Sequence, residues 1–182
     1  MLSHLIMTII GPDRPGLVTS LASVVAAHGG NWLECRMSHL EGQFAGILRV
    51  QVPEDSVDSL LDALRRLESE KLTVIAHRGD PSASALTPSR SLALEVIGHD
   101  RPGIVREITR TLARFRANVE ELETDRSSAP MTGEMLFHAR ARIVLPDACA
   151  ESAVREELER IAADLMVELR LEQDPNRPER SA

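Results

Sequence analysis

Apolar positions along the first half of the chain switch between two periods. Residues 2–10 form an apolar, β-rich run that stops at Gly11-Pro12, which predicts a strand ending in a loop. Leu17, Val18, Leu21, Val24, Val25 and His28 then fall on one helical face, and Gly29-Gly30 predicts its end. Pro15 suits the first helical turn, where its missing N–H costs nothing, and Asp13 is of the type that caps a helix. Residues 31–40 read as a second strand and Glu41-Gly42 as a turn. Phe44, Gly46, Leu48, Val50 and Val52 alternate with Ala45, Ile47, Arg49 and Gln51, a third strand with one face inward that Pro53 ends. Val57, Leu60, Leu61, Leu64 and Leu67 make the apolar face of a second helix, and residues 72–76 a fourth strand.

The second half repeats each step. Residues 91–97 are strand-like, Ile104, Val105, Ile108, Leu112 and Phe115 line a helix, and residues 118–124 form the next strand. Residues 137–146 answer residues 44–53, with Arg142 in the place of Arg49. Val154, Leu158, Ile161 and Leu165 mark the last helix and residues 166–171 the last strand. The order β-α-β-β-α-β is the ferredoxin-like arrangement. The expected fold class is therefore α+β: two tandem units, each a four-stranded antiparallel sheet with two helices on one face. The expected boundaries are 1–78 for the first unit, 79–90 for a Pro/Ser/Ala linker, 91–173 for the second unit and 174–182 for a polar tail.

One phrase is spoken twice. Residues 11–18, G-P-D-R-P-G-L-V, return as residues 98–105, G-H-D-R-P-G-I-V, with six of eight positions identical and a spacing of 87. Asn31 and Asn118 keep that spacing. Phe44 and Phe137 lie 93 apart, so the second copy carries six extra residues, placed at 127–133 in a longer hairpin loop.

Each repeated loop delivers a helix N-terminus, where backbone N–H groups and the helix dipole attract a carboxylate or phosphate. Two readings of it stand side by side: an anion-binding loop, or a well-made helix start that persisted through duplication. Asn31 and Asn118 likewise read either as amides able to meet both an ammonium and a carboxylate, or as residues suited to turns.

Composition narrows the field. With 182 residues, each unit holds enough chain for one small core, and 43% apolar with only 2% aromatic residues makes that core aliphatic. A net charge of −7 argues against direct contact with nucleic acid or an anionic membrane. The absence of Tyr, with only three Phe, removes the aromatic platform of a sheet-based RNA reader. Cys35 and Cys149 form no metal or redox pattern, and the six His residues show no metal spacing. No nucleophile elbow, P-loop or G-x-G-x-x-G occurs, and no apolar run is long enough for a signal or span. The expectation is a soluble, cytoplasmic protein without catalysis, metal or cofactor.

The D-R-P-G loop after a first strand, the Asn opening the second, and the βαββαβ order together resemble the ACT domain, a small-molecule sensor unit. The resemblance covers nearly the whole chain, twice. The phrase G-x-D-R-P-G-[LI]-V is similar to that of ACT units in formyltetrahydrofolate deformylase, in the uridylyltransferase of nitrogen control and in the glycine cleavage system transcriptional repressor family. The first two carry large catalytic domains, for which this chain has no room, so the repressor family is the one implied. That resemblance implies an amino-acid effector, glycine first among candidates, and control through contact with a transcriptional activator protein rather than DNA. It also implies a homodimer, and ligand sites between the first loop and helix and a partnering ACT domain. Carried onto this sequence, the sites are Asp13, Arg14, Pro15, Gly16 and Asn31, and Asp100, Arg101, Pro102, Gly103 and Asn118. A free-standing ACT subunit regulating an enzyme of amino-acid metabolism is the alternative. An acylphosphatase-like enzyme, with Arg14 and Asn31 cradling phosphate, is a third reading.

Overall fold

A computed structural model describes residues 1–79, 89–129 and 133–174. The chain divides into two compact units, Met1–Ala85 and Leu86–Ala182. In the first, β1 (Leu2–Pro12), α1 (Leu17–Ala27), β2 (Asn31–Leu40), β3 (Gln43–Pro53), α2 (Val57–Arg66) and β4 (Thr73–Arg78) follow in order. The second repeats them as β5 (Ser89–His99), α3 (Ile104–Arg114), β6 (Asn118–Ser128), β7 (Met135–Pro146), α4 (Glu151–Leu165) and β8 (Val167–Gln173). The sheets are ordered β2-β3-β1-β4 and β6-β7-β5-β8, antiparallel throughout. The expected α+β class and ferredoxin-like order are therefore what the chain forms.

Alternation builds each core. Leu5, Met7 and Ile9 of β1 and Leu48, Val50 and Val52 of β3 point to the helix side of the sheet. They meet Leu17, Leu21 and Val25 of α1 and Val57, Leu60 and Leu64 of α2. In the second unit Leu92, Leu94, Val96, Ile143 and Leu145 meet Ile104, Ile108, Leu112, Val154 and Leu158. Aliphatic side chains carry both cores. Phe137 is a buried aromatic, while Trp32, Phe44 and Phe115 pack at the margins. Both edge strands carry a bulge at the same place, Trp32/Glu34 and Val119/Glu121, 87 residues apart.

Some boundaries move. β6 continues past the expected residue 124 to Ser128, because β7 offers a ladder partner as far as Met135, which pairs with Ser128. The longer hairpin expected at 127–133 thus begins as strand, and residues 130–132 lie outside the described residues. Of the expected linker, residues 80–88 lie outside them too. Gly79 N–H donates to His4 O at 2.8 Å, and β5 opens at Ser89. Of the expected tail, residues 175–182 lie outside the described residues. Asp174 N–H reaches Ser91 O at 3.3 Å, and Ser91 Oγ donates to its carboxylate at 3.1 Å.

Candidate functional site

The repeated phrase folds into the same device twice. Gly16 and Gly103 are the residues before α1 and α3, with φ of 86° and 99° and ψ near zero. Arg14-Pro15-Gly16-Leu17 closes with Leu17 N–H on Arg14 O at 3.4 Å, a type II turn with Pro at its second position and Gly at its third. Pro15 therefore sits in the turn, one residue before the glycine cap, rather than in the first helical turn. The capping expectation for Asp13 is corrected as well: neither helix start has a side-chain cap hydrogen bond. The backbone of Asp13 instead ties the loop to the hairpin, its N–H on Gly42 O at 2.8 Å, and Asp100 N–H does the same to Met135 O at 2.9 Å.

The other repeated glycine has a different cause. A Cβ on Gly11 would stand 2.7 Å from Lys71 O, and one on Gly98 would stand 2.6 Å from a Val167 methyl. Both glycines let the first strand of the unit approach the segment that enters its last strand. Two of the phrase's identical positions are thus explained by backbone conformation and close approach.

The charged residues of the loops are engaged. The Asp100 carboxylate pairs with the Arg126 guanidinium at 2.7 Å, and Asp13 faces His39 Nε2 at 3.8 Å, a ring nitrogen that also accepts Gly42 N–H at 3.1 Å. His39 and Arg126 occupy equivalent places on β2 and β6, 26 residues after their aspartates. That shared spacing was the signal in the sequence for two site residues that pattern reading missed. Arg101 reaches across to α4, donating to Asp164 O at 2.9 Å, while its Nε is buried without a partner among the described residues.

Asn31 and Asn118 lie elsewhere. Asn31 pairs with Gln51 and Asn118 with Val144, whereas the loops begin beside Gln43 and Leu136. Eight residues of extended strand separate the two ends, about 27 Å. The structure brings Asp13, Arg14, Pro15 and Gly16 together, and Asp100, Arg101, Pro102 and Gly103 together, but each asparagine stands at the opposite end of its sheet. Within each unit the first helix, α1 or α3, carries the chain back along its own sheet before β2 or β6 begins, which forces that separation.

An apolar cleft opens beneath α3. Leu94, Val96, Val105, Ile108, Thr109, Leu112, Val119, Leu122, Phe137, Ala139 and Ala141 line it. The equivalent positions of the first unit explain it: Trp32 and Leu48 stand where the second unit has Val119 and Ala141. Trp32 packs on the core of its unit and Leu48 lies within it.

Among the described residues, no group of three or more His, Cys, Asp or Glu could hold a metal ion. Cys35 and Cys149 are free thiols. No described helix is long and apolar enough to cross a membrane.

Comparison with known proteins defines the class. The ACT domain model matches residues 3–77 and again 90–172. The chain belongs to the ACT domain family and carries the domain in tandem. A UPF0237 protein of Methanopyrus kandleri is 32% identical over 71 residues, 38% of this chain and 79% of the relative. An unknown protein of Galdieria sulphuraria shares the architecture at 28% identity and a TM-score of 0.83, covering 96% of this chain and 99% of that one. A candidate glycine cleavage system transcriptional repressor superposes with a TM-score of 0.70 at 19% identity, over 97% of this chain and 99% of that one, a resemblance of fold.

Proposed function

We propose that this chain is a non-catalytic regulator that senses a small amino acid at its strand-to-helix loops and acts through a protein partner. The observation that carries the reading is the pair of uncapped helix starts, each behind a glycine in the left-handed region within an ACT unit. The first N–H groups of a helix have no intrahelical partner, and a carboxylate supplies one where a side-chain cap does not. α1 has no acidic residue in its first turn, whereas α3 has Glu107 there. The first unit is therefore the better receiver of a carboxylate.

The separation of Asn31 from its own loop gives the ammonium a different source. In this proposal the amide of Asn31 meets a ligand held by the loop of a neighbouring ACT unit from a second copy. Such a ligand has two anchors on different copies, so its binding and homodimer formation would be coupled. The likeness of fold to a candidate glycine cleavage repressor supports glycine as the first effector to try and an activator protein as the partner.

A thermal-shift screen tests the reading. An amino acid at about 100 times its Kd should stabilise the chain by roughly 2.7 kcal/mol. Asn31→Ala should remove most of that shift while leaving the fold intact. If glycine, serine and the other small amino acids all leave the midpoint in place, amino-acid sensing is wrong. If glycine shifts it but does not alter capture of a glycine cleavage activator, the partner is wrong and the sensor stands.

A further inference from the structure

The helix-facing side of the sheet is packed differently in the two units. In the first, Trp32 of β2 packs against the core and Leu48 of β3 is 1% exposed within it. The second has Val119 and Ala141 at those places, so one side chain of β6 and one of β7 are smaller beneath α3. At the opening the exchange runs the other way. Leu122 pairs with Ala141 where Cys35 pairs with Leu48, so the rim carries a larger apolar group. Less bulk in the floor and more at the rim make a recess of about 350 Å³, its open mouth included. That is at the lower end of what small-molecule pockets enclose, ~300–1,000 Å³.

The lining fixes the chemistry of an occupant. Leu94, Val96 and Leu112 are 3% exposed or less, while Val105 and Leu122 are 37% and 45% exposed at the mouth. Thr109 is the one polar residue of that lining, and its hydroxyl donates to Val105 O at 2.8 Å within its own helix. A water in the recess therefore finds no free side-chain partner, and a buried water needs about two to four. A polar atom of a ligand would be left unpaired in the same way, so the group that fits is hydrocarbon. The surroundings limit its size. Exposed Glu121 and Glu123 flank Leu122 along β6, and exposed Arg106 follows Val105 along α3. A broad apolar protein surface would have to cover those charges, which the centre of a protein interface seldom holds. A single ring would not.

We propose that the cleft beneath α3 binds the uncharged aromatic ring of a small molecule, a ring of about the size of an indole. The first unit shows that this architecture accepts such a ring, since Trp32 supplies an indole from the chain at the position equivalent to Val119. In the second unit that ring is left for a ligand to supply. Burial of apolar area and dispersion contact with the aliphatic walls drive the binding. Phe137, 8% exposed in the lining, adds an aromatic partner that an incoming ring can meet edge-on or offset. Binding here does not rest on the amino-acid reading, because none of the loop residues or asparagines assigned to that role lines the cleft.

Indole itself is the probe. Titrated into the full chain, it should move the methyl NMR signals of Ile108, Leu112, Val119 and Leu122 in a saturable way, with a Kd of about 1 mM or tighter. The methyls of Leu21 and Leu64 in the first unit should stay in place. Ala141→Leu, which fills the cleft, and Val119→Trp, which copies the first unit, should each weaken binding by about tenfold or more. The methyl spectrum of each variant reports whether it folds, and the titration of the native chain decides the matter if neither does. No saturable shift up to about 10 mM indole would overturn the proposal. So would equal movement of the methyls of both units, or an affinity that both folded variants leave unchanged. Ala141→Leu should leave any thermal shift produced by glycine as it was, so the cleft and the loops stand or fall separately.

Discussion

Asp100 and Arg126 hold the repeated loop of the second unit to its edge strand with an ion pair of 2.7 Å, whereas the equivalent residues of the first unit, Asp13 and His39, stand 3.8 Å apart. Equivalent places thus hold a permanent cation in one copy and, in the other, a ring nitrogen that accepts Gly42 N–H. Arg126 is 62% exposed, so the pair is worth at most about 1 kcal/mol. Arg126→Ala and Asp100→Asn should each destabilise by no more than that. A double-mutant cycle in urea should give a coupling energy that shrinks as salt rises. A coupling that salt leaves unchanged would rule out a solvent-screened pair.

Gly16 and Gly103 face open space, with nothing within 4 Å of an added Cβ, so substitution there tests backbone conformation alone. Gly16→Ala should cost about 1–2 kcal/mol, the penalty for a side chain in the left-handed region. Gly98→Ala should cost more, since its Cβ would meet Val167 at 2.6 Å. Chemical denaturation measures both, and equal costs would contradict the two causes given.

The cleft under α3 follows from small side chains where the first unit has large ones. Ala141→Leu should fill it and raise stability by about 0.5–2 kcal/mol. Leu48→Ala, which opens the matching space in the first unit, should lower it by about 2–5 kcal/mol. The sign of the first change is the informative result: destabilisation would mean that the cleft cannot take a leucine in an unstrained rotamer.

Glu157 on α4 is held to a pKa of about 2, first by its hydrogen bond from Arg160 and then by the charges of Arg160 and Arg114. Arg114 belongs to α3, at 2.9 Å, so the carboxylate ties the two helices of the second unit together. A depressed folded-state pKa means that the stabilisation is complete above the unfolded value of about 4.3 and is lost as pH falls through the folded value. The melting temperature should therefore decline between about pH 4.3 and pH 2, and Glu157→Gln should flatten that decline. An unchanged pH profile in the variant would remove Glu157 from the account.

Much of the architecture was legible residue by residue. The alternation in residues 44–52 and the helical spacing from Leu17 to Val25 are local signals, because each depends only on neighbours along the chain. The duplicated phrase and the two asparagines doubled the evidence. What pattern reading missed was local at its edges. Asp13 looked like a cap, but the type II turn at Pro15-Gly16 moved the helix start beyond its reach.

The loop and Asn31 look like one site when read along the chain, and they stand about 27 Å apart. His39 and Arg126 drew no notice in the chain and turn out to face the loop aspartates. Both outcomes come from hairpin register, which pairs residues by their distance from a turn and not by their spacing to a motif. Alternation likewise groups Ile6, Ile10, Ile47 and Ile75 on one face, but only the side on which the helices pack makes that face the open one. Amino-acid order was enough for the elements, their sequence and the duplication, since short-range periodicity and turn chemistry encode them. Which residues share an end of the sheet, which cations meet the loops and which isoleucines remain uncovered depend on strand pairing and helix placement, contacts between positions far apart in the chain.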